Sequence, residues 1–501
     1  MIGDNEQNSP GSTTPVLYPD IRKILQGLAE NTLEVHCHSI TLTQCRSENP
    51  EIIHGRGSIR LLGKESFELQ MHVDSRTGPP ERTRLIEITS RLNGTLIPYS
   101  EYYTLRATDY EGVEWITERF LIKRRGWGAT FITGTFGELK HVRPISTSNA
   151  PWVTFFLFDD PGFRYNQRIR TRTVIGDETE DEEFELAAAQ FEDRGFAIRV
   201  MRTNLAERPI SITVTFDGGE ATAAGGACAE TNANSRVELR VLEALRYALF
   251  RPVSWSLCEK YRDNVYELIL APRQSHGDYT FHSPMGPHAS WAKDFWKLFT
   301  AYLRHILDHP VQDAEHYSPL SSILRPLITT QTNELVVMAL LVTVTVEGVL
   351  HLEFPHLGAR PPSLLEQISS AKKLVRRLKN VEDTFRTRIN NALDNMARLR
   401  ASDKLKDLRK HGVISKQMID AWQSLRNAST HATMDPKIFN NERLWHDGYT
   451  VAMMLHLILF TAIGYSGRYM DFSAAGWPEK EFPTPALGSL NPKLEGPQHP
   501  N

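Results

Sequence analysis

Two segments of the 501-residue sequence place an arginine five residues ahead of a histidine: Arg304–His309 and Arg426–His431. Histidine can take up or release a proton near neutral pH. Arginine grips phosphate through a fork of N–H donors and stabilises charge developing on a transferring phosphoryl group. With the amide of Asn427 beside them, Arg426 and His431 suit cleavage of RNA without a metal. The ribose 2′-OH attacks its own phosphate as a base removes its proton, and an acid protonates the leaving 5′-oxygen. One histidine does not readily serve as base and acid in a single pass, whereas two copies facing each other across a symmetric dimer supply both. Chance alone yields such a pair in a chain with 18 histidines, so the elements that carry the two pairs must decide between them.

On a helical wheel of ~100° per residue, Met418, Trp422, Leu425 and Ser429 gather on one side, the expected core stripe. Asn427 and His431 fall near the opposite side, one turn apart, with Asp420, Gln423 and Thr430. Arg426 lies at the flank, its long side chain able to reach across, so an Arg/Asn/His cluster projects away from the core. Around Arg304 the stripe is Phe295, Phe299, Tyr302 and Ile306; His309 falls near it, just before Pro310, while Arg304 points the other way. That pair is read as structural. A second feature favours RNA. Residues 372–410 hold thirteen Lys/Arg, among them Lys372, Lys373, Arg376 and Arg377, against five Asp/Glu, in a chain of formal net charge −3. This stretch is a candidate phosphate-binding surface, with those four residues as RNA-binding candidates.

Other chemistries lose ground. GxxxxGK[ST], GxGxxG, GxSxG and HExxH are all absent, which argues against P-loop, Rossmann, α/β-hydrolase and zincin enzymes. His36-Cys37-His38 with Cys45 does not make a metal site, because on a strand His36 and His38 share one face and Cys37 takes the other. His276, His282 and His288 read as loop histidines. No metal and no cofactor is expected. Acids slightly outnumber bases, so a nucleic-acid site must be a local patch.

The elements that position these residues follow from length and patterning. At 41% hydrophobic and 23% charged, the chain folds, and it is too long for one core. Four cysteines (Cys37, Cys45, Cys228, Cys258) are too few for a disulfide scaffold. The N-terminus lacks a secretory signal. The apolar runs Leu335–Val346 and Val451–Ile463 fall short of the ~20 residues that span a bilayer and read as core helices. A cytoplasmic protein with no membrane partner is expected.

Residues 1–16 and 481–501 read as tails, the second Pro-rich. A β-rich region, 30–310, contains Leu33–Leu42, Ile59–Leu62, Phe67–Val73, Leu85–Leu92, Ile116–Ile122, Trp152–Phe158, Ile210–Phe216 and Val265–Leu270 as strands. Turn signals at Asn93-Gly94 and Asp217-Gly218-Gly219 punctuate it, and the acidic run Asp177–Glu183 reads as a solvated loop. This spacing suggests a sandwich or barrel-like sheet. Helices are predicted near 235–250, with Ser235 as N-cap, and at 291–309. From 317 to 472 the pattern is all helix: Glu334–His351, Ser363–Asn380, Val381–Leu399, Ser402–His411 ended by Gly412, Ser415 to about His431 with a break at Pro436, and Glu442–Tyr465. The fold class is therefore α+β multidomain, a β-rich front followed by an all-α bundle.

The C-terminal third resembles a HEPN domain. The resemblance is carried by Leu425-Arg426-Asn427-Ala428-Ser429-Thr430-His431, inside a Trp-bearing amphipathic helix ahead of the final apolar helix. The segment Ile463-Gly464-Tyr465-Ser466-Gly467-Arg468-Tyr469-Met470-Asp471, followed by Gly476-Trp477, is similar to the ends of ApeA-type HEPN proteins, which also place a β-rich domain in front. The resemblance implies a metal-independent endoribonuclease that forms a composite site by homodimerising and acts in anti-phage defence by abortive infection, with tRNA as a possible target. It implies Arg426 and His431 as catalytic and Asn427 as supporting, with the β-rich region sensing a phage-derived trigger or regulating. Glu347 falls where some HEPN proteins place an acid near the site and is not counted as catalytic. A non-catalytic HEPN protein that only dimerises or docks a partner is the alternative. A ligand-binding β-sandwich, resting on the aromatic strands, is a third reading.

Overall fold

The computed structural model describes residues 19–46, 48–63, 65–77, 96–125, 130–145, 150–175, 178–193, 195–203, 208–216, 237–273, 281–309, 317–330, 334–378, 382–430 and 441–483. The expected N-terminal tail, strand Leu85–Leu92, both turn signals, Ser235, Cys228, His276, His431 and Pro436 lie outside them.

A short amphipathic helix opens the described chain: α1 (Ile21–Glu30), capped by Asp20, whose carboxylate accepts from the Arg22 and Lys23 N–H groups at 3.0 and 3.2 Å. Alternating apolar residues then build β1 (Glu34–Gln44), β2 (Ile52–Leu62), β3 (Ser66–Thr77), β4 (Tyr103–Asp109), β5 (Glu114–Arg125) and β6 (Phe131–Phe136). Their antiparallel order is β4-β1-β2-β3-β6-β5, and β4 also pairs with β5, so the six strands close into a barrel. Closure removes exposed edges. The lumen is filled by Cys37, Ile53, Phe67, Leu69, Met71 and Phe120, and α1 adds Ile24, Leu25 and Leu28 to that core.

The sheet continues through β7 (Leu139–Pro144), β14 (Val265–Leu270), β13 (Leu257–Arg262), β8 (Trp152–Leu157), β12 (Ile210–Phe216), β11 (Phe196–Arg202), β10 (Glu178–Asp193) and β9 (Gln167–Ile175). The acidic stretch expected to be a loop is thus the start of a 16-residue strand. The register sets Glu183 opposite Arg172 and Glu185 opposite Arg170, and residue types of opposite charge favour such pairing. A solvated run of acids in the sequence carries no hint of the basic strand waiting for it.

The helical elements are α2 (Val237–Leu249), α3 (Ala292–Leu307), α4 (Pro319–Thr329), α5 (Leu335–Glu353), α6 (Pro362–Arg377), α7 (Asp383–Ala397), α8 (Ala401–Lys410), α9 (Lys416–Thr430) and α10 (Asn441–Ile463). Two compact units result. One holds the described residues within Met1–Asp160, Gln167–Ala221 and Ser254–Ser275; the other holds Pro161–Asn166, Thr222–Val253 and His276–Asn501. α2 and α3, expected within the β-rich region, therefore belong to the helical unit: α2 packs on α3 and α4, and α3 on α10. Ser402 does not cap α8, which starts at Ala401 with Arg400 before it; burial of Lys404, Leu405 and Leu408 sets the start instead. The chain is also ordered past the expected onset of the tail at 481, since Glu479–Phe482 (β16) pairs with Gly467–Met470 (β15).

α5 and α10 reach the length and apolarity of membrane-crossing helices, longer than their apolar runs suggested, but their surroundings differ. The most apolar window of α10 is 83% buried, that of α5 44%. Every residue from Val451 to Ile463 is buried, among them His456, which is fully enclosed by Tyr247, Phe250 and Phe460. Among the described residues, neither of its ring nitrogens has a hydrogen-bond partner of normal geometry. Burial depresses its pKa to about 3, opposed in part by the His282 backbone.

Two outcomes follow from this packing. Gly134 lies where β6 meets β5: a Cβ there would sit 2.3 Å from the Leu121 carbonyl oxygen and 2.4 Å from the Phe120 ring. Gly134→Val is expected to cost at least about 1–3 kcal/mol by overpacking, measured by urea denaturation. His456 is neutral when folded but protonates in the unfolded chain below pH ~6.5. Stability should therefore fall as pH drops from about 6.5 toward 3, by ~1.4 kcal/mol per pH unit for this one proton. His456→Phe should flatten that dependence in acid denaturation curves, and an unchanged slope would show that His456 is not its source.

Candidate functional site

The site is built by the junction of α9 with α5. α8 stops at Gly412, whose φ of +74° favours glycine. Three residues later Ser415 restarts the helix, its Oγ accepting from the Met418 N–H at 3.2 Å, as the sequence predicts. Met418, Ile419, Ala421, Trp422 and Leu425 are buried, whereas Asp420, Gln423, Arg426 and Asn427 are exposed. The predicted division of α9 into an apolar and a polar face holds as far as its described side chains run. Trp422 anchors the helix, its indole N–H donating to the Thr343 carbonyl of α5 at 3.4 Å.

Arg426 stands at the seam. Its Nε lies 2.5 Å from Oε1 of Glu347 on α5, and its guanidinium carbon lies 5.6 Å from the centre of the Trp422 ring. The pair is accessible, with 49% of the arginine side chain and 36% of the carboxylate side chain exposed. The guanidinium is thus held in a defined place by a carboxylate below and an aromatic face beside it. A phosphate could take the place of the Glu347 carboxylate, because both are planar-edged oxygen acceptors for the same fork. Asn427 is exposed next to it. The structure therefore joins Arg426 with Glu347 and leaves Asn427 exposed at the next helix position, while His431 lies outside the described residues. The sequence signal for Glu347 was a single acid interrupting a long apolar helix.

Along α5, Val336, Val337, Leu340 and Val344 are exposed and lead to Glu347 at helical spacing, with Val344 58% exposed. The opposite stripe, Met338, Val342, Val346, Val349 and Leu350, is buried.

The basic segment divides. Lys373, Arg376 and Arg377 are exposed on α6 and form no ion pair with a described residue, but Lys372 pairs with Asp394 of α7. That hydrogen bond holds the Asp394 carboxyl below its usual range. Lys404 is buried: its Nζ donates to the Leu350 carbonyl at 3.0 Å near the end of α5, and burial lowers its pKa. Arg386, Lys406 and Lys410 pair with Asp383, Asp403 and Asp407 on their own helices. Four of the segment's five acids are thus paired within it, pairs that the net excess already counts, Lys404 is engaged inside the unit, and α6 carries the exposed basic side chains Lys373, Arg376 and Arg377.

The Arg304–His309 pair does not form a cluster: His309 Nδ1 lies 2.8 Å from the His305 carbonyl on its own helix, and His305 meets Glu353 at 3.2 Å. Among the described residues no group of three His, Cys, Asp or Glu converges as a metal site. Cys37 faces the barrel core, where burial pushes its thiol up to about 12, while His36 stands on the outer side. His282 lies in a loop and is exposed, as expected, with the rings of Tyr449, Phe472 and Trp477 beside it.

Compared with known proteins, the chain matches no family model, no curated protein and no solved structure.

The geometry separates anchoring from charge. Trp422→Ala should cost about 3–5 kcal/mol, whereas Glu347→Gln, which breaks a partly exposed pair, should cost at most about 1 kcal/mol. Equilibrium urea melts of the two variants measure the difference.

Proposed function

We propose that this chain is a metal-independent endoribonuclease of HEPN type, acting as an anti-phage effector with the β-rich region as its sensor or regulator. The observation that carries the reading is the exposed Arg426 guanidinium, pre-oriented by Glu347 and Trp422, with Asn427 exposed at the next position of the helix. Such a group binds a phosphate and stabilises the charge that develops as the 2′-oxygen attacks. His431, in the same sequence motif, is the proton-transfer group. α6, with Lys373, Arg376 and Arg377, offers an electrostatic surface for the rest of an RNA, a tRNA among the candidates.

A single histidine calls for a second copy, and the exposed valine and leucine stripe of α5 runs directly up to Glu347. An apolar stripe of this kind is suited to an isologous contact, which would set two Arg426 groups near one another.

Induced expression of the wild-type chain should be toxic and should raise 5′-hydroxyl RNA ends, the product of 2′-OH attack. Arg426→Ala and His431→Ala should each lower cleavage by about 10²-fold or more, and a chelator should leave the wild type active. Intact RNA in both wild type and variants, with normal growth and with phage challenge, would favour a non-catalytic binding protein. Val344→Asp should give a monomer by sedimentation and lose cleavage with it; an active monomer would remove the composite site.

A further inference from the structure

The barrel carries a second constellation that the ribonuclease reading leaves unused. Its lumen is packed, so any ligand must meet the outer face, and there a cleft of about 360 Å³ opens over β1, β2, β3 and β6. The antiparallel register builds it in two rows. Arg56 is opposite His72, and His72 is opposite Phe131. Beside this row, His36 is opposite Ser58, and Ser58 is opposite Gln70. Facing side chains within a row are ~5 Å apart, and the rows are ~7 Å apart along the strands.

The chemistry of these residues is specific. Arg56 is exposed at the middle of the ladder, and none of the described residues lining the cleft is acidic; two acids stand at its rim, Glu34 at 3.9 Å from His36 Nε2 and Glu68, which is bonded to Gln70 and paired with Arg60. Aromatic rings stand beside the histidines: His72 lies against Phe131 with centroids 5.2 Å apart, and Tyr110, 73% exposed, meets His38 edge-on at 5.7 Å. The β1 bulge after Cys37 turns both His38 and Ser39 outward. Gln70 is diagonal to Phe131 in the register; its amide nitrogen donates to Glu68 Oε2 at 3.0 Å, which orients the amide and leaves its oxygen as an acceptor for a polar edge. A cation for a phosphate, a ring to stack on and an amide for a polar edge are what one nucleotide unit requires.

We propose that the outer face of the barrel binds a nucleotide unit, with its phosphate on Arg56, its base against Phe131 and the base edge on Gln70. The unit is either a free nucleotide or the phosphorylated end of a single strand, and both share this chemistry. The site is independent of the α9 machinery.

The full chain is titrated with AMP, with inorganic phosphate, and with a 5′-phosphorylated 2′-O-methyl pentanucleotide, which cannot undergo 2′-OH attack. Calorimetry should show AMP binding at least about ten-fold tighter than phosphate. Arg56→Gln and Phe131→Leu should each weaken AMP about ten-fold or more with unchanged thermal melting, and Tyr110→Ala, at a highly exposed position, provides a variant that cannot disturb the core. Arg426→Ala should bind AMP as the wild type does. Competition by the pentanucleotide would identify a strand end as the ligand, and its absence a free nucleotide. No AMP binding at millimolar concentration, equal affinity for phosphate, or AMP binding lost in Arg426→Ala but kept in Arg56→Gln and Phe131→Leu would overturn the proposal.

Discussion

The helical unit depends on the burial of α10. From Val451 to Ile463 every residue is buried, and a helix apolar all round must be covered on every side. α5 and α9 supply part of that cover and pack on each other as they do so. Once Met418, Trp422 and Leu425 are committed to this contact, Arg426 and Asn427 have nowhere to go but outward. The direction of the site is thus a consequence of core packing. The same commitment leaves Val336, Val337, Leu340 and Val344 on the far stripe of α5 exposed, because the helix turns its buried stripe toward the packed helices.

Charge in this unit is arranged by the same constraint. A carboxylate in a helix as apolar as α5 must lie at the margin of the packed face or find a cation, and Glu347 does both. The pair is accessible, so it contributes little to stability; its effect is on position. Deeper in the unit the polar groups serve packing. Lys404 closes on a carbonyl near the end of α5, and the buried Arg240–Glu243 pair reaches Ser318, whose N–H donates to Glu243 at 3.2 Å. Removing one member of such a set leaves the other buried and uncompensated.

The barrel meets a different constraint. A six-stranded closed sheet filled by Phe67, Leu69, Met71 and Phe120 is packed inside, so polar residues such as His36, Arg56, Gln70 and His72 fall on the outer face by the simple alternation of the strands. The register then decides which of them become neighbours. His36, Arg56, Gln70, His72 and Phe131 come from four strands and span almost a hundred positions of sequence.

Local order was legible in the sequence. The period of the apolar residues located α9 and its core stripe, the cap at Ser415, the stop at Gly412 and strands such as Ile210–Phe216 and Val265–Leu270, because each is set by residues within a turn or two. Long-range pairing was not legible. Closure of β4 onto β5, the recruitment of an acidic run into β10, the grouping of α2 and α3 with the bundle, and the sharing out of the basic segment into ion pairs all depend on partners far away in the chain, whose identity no local pattern encodes. For the candidate site, the sequence by itself determined that Arg426 and Asn427 occupy the polar side of a helix. That Glu347 holds the arginine, that Lys372 and Lys404 are engaged elsewhere, and that two histidines and an arginine line one cleft of the barrel were decided by tertiary structure, because contacts between elements follow from register and packing rather than from spacing along the chain.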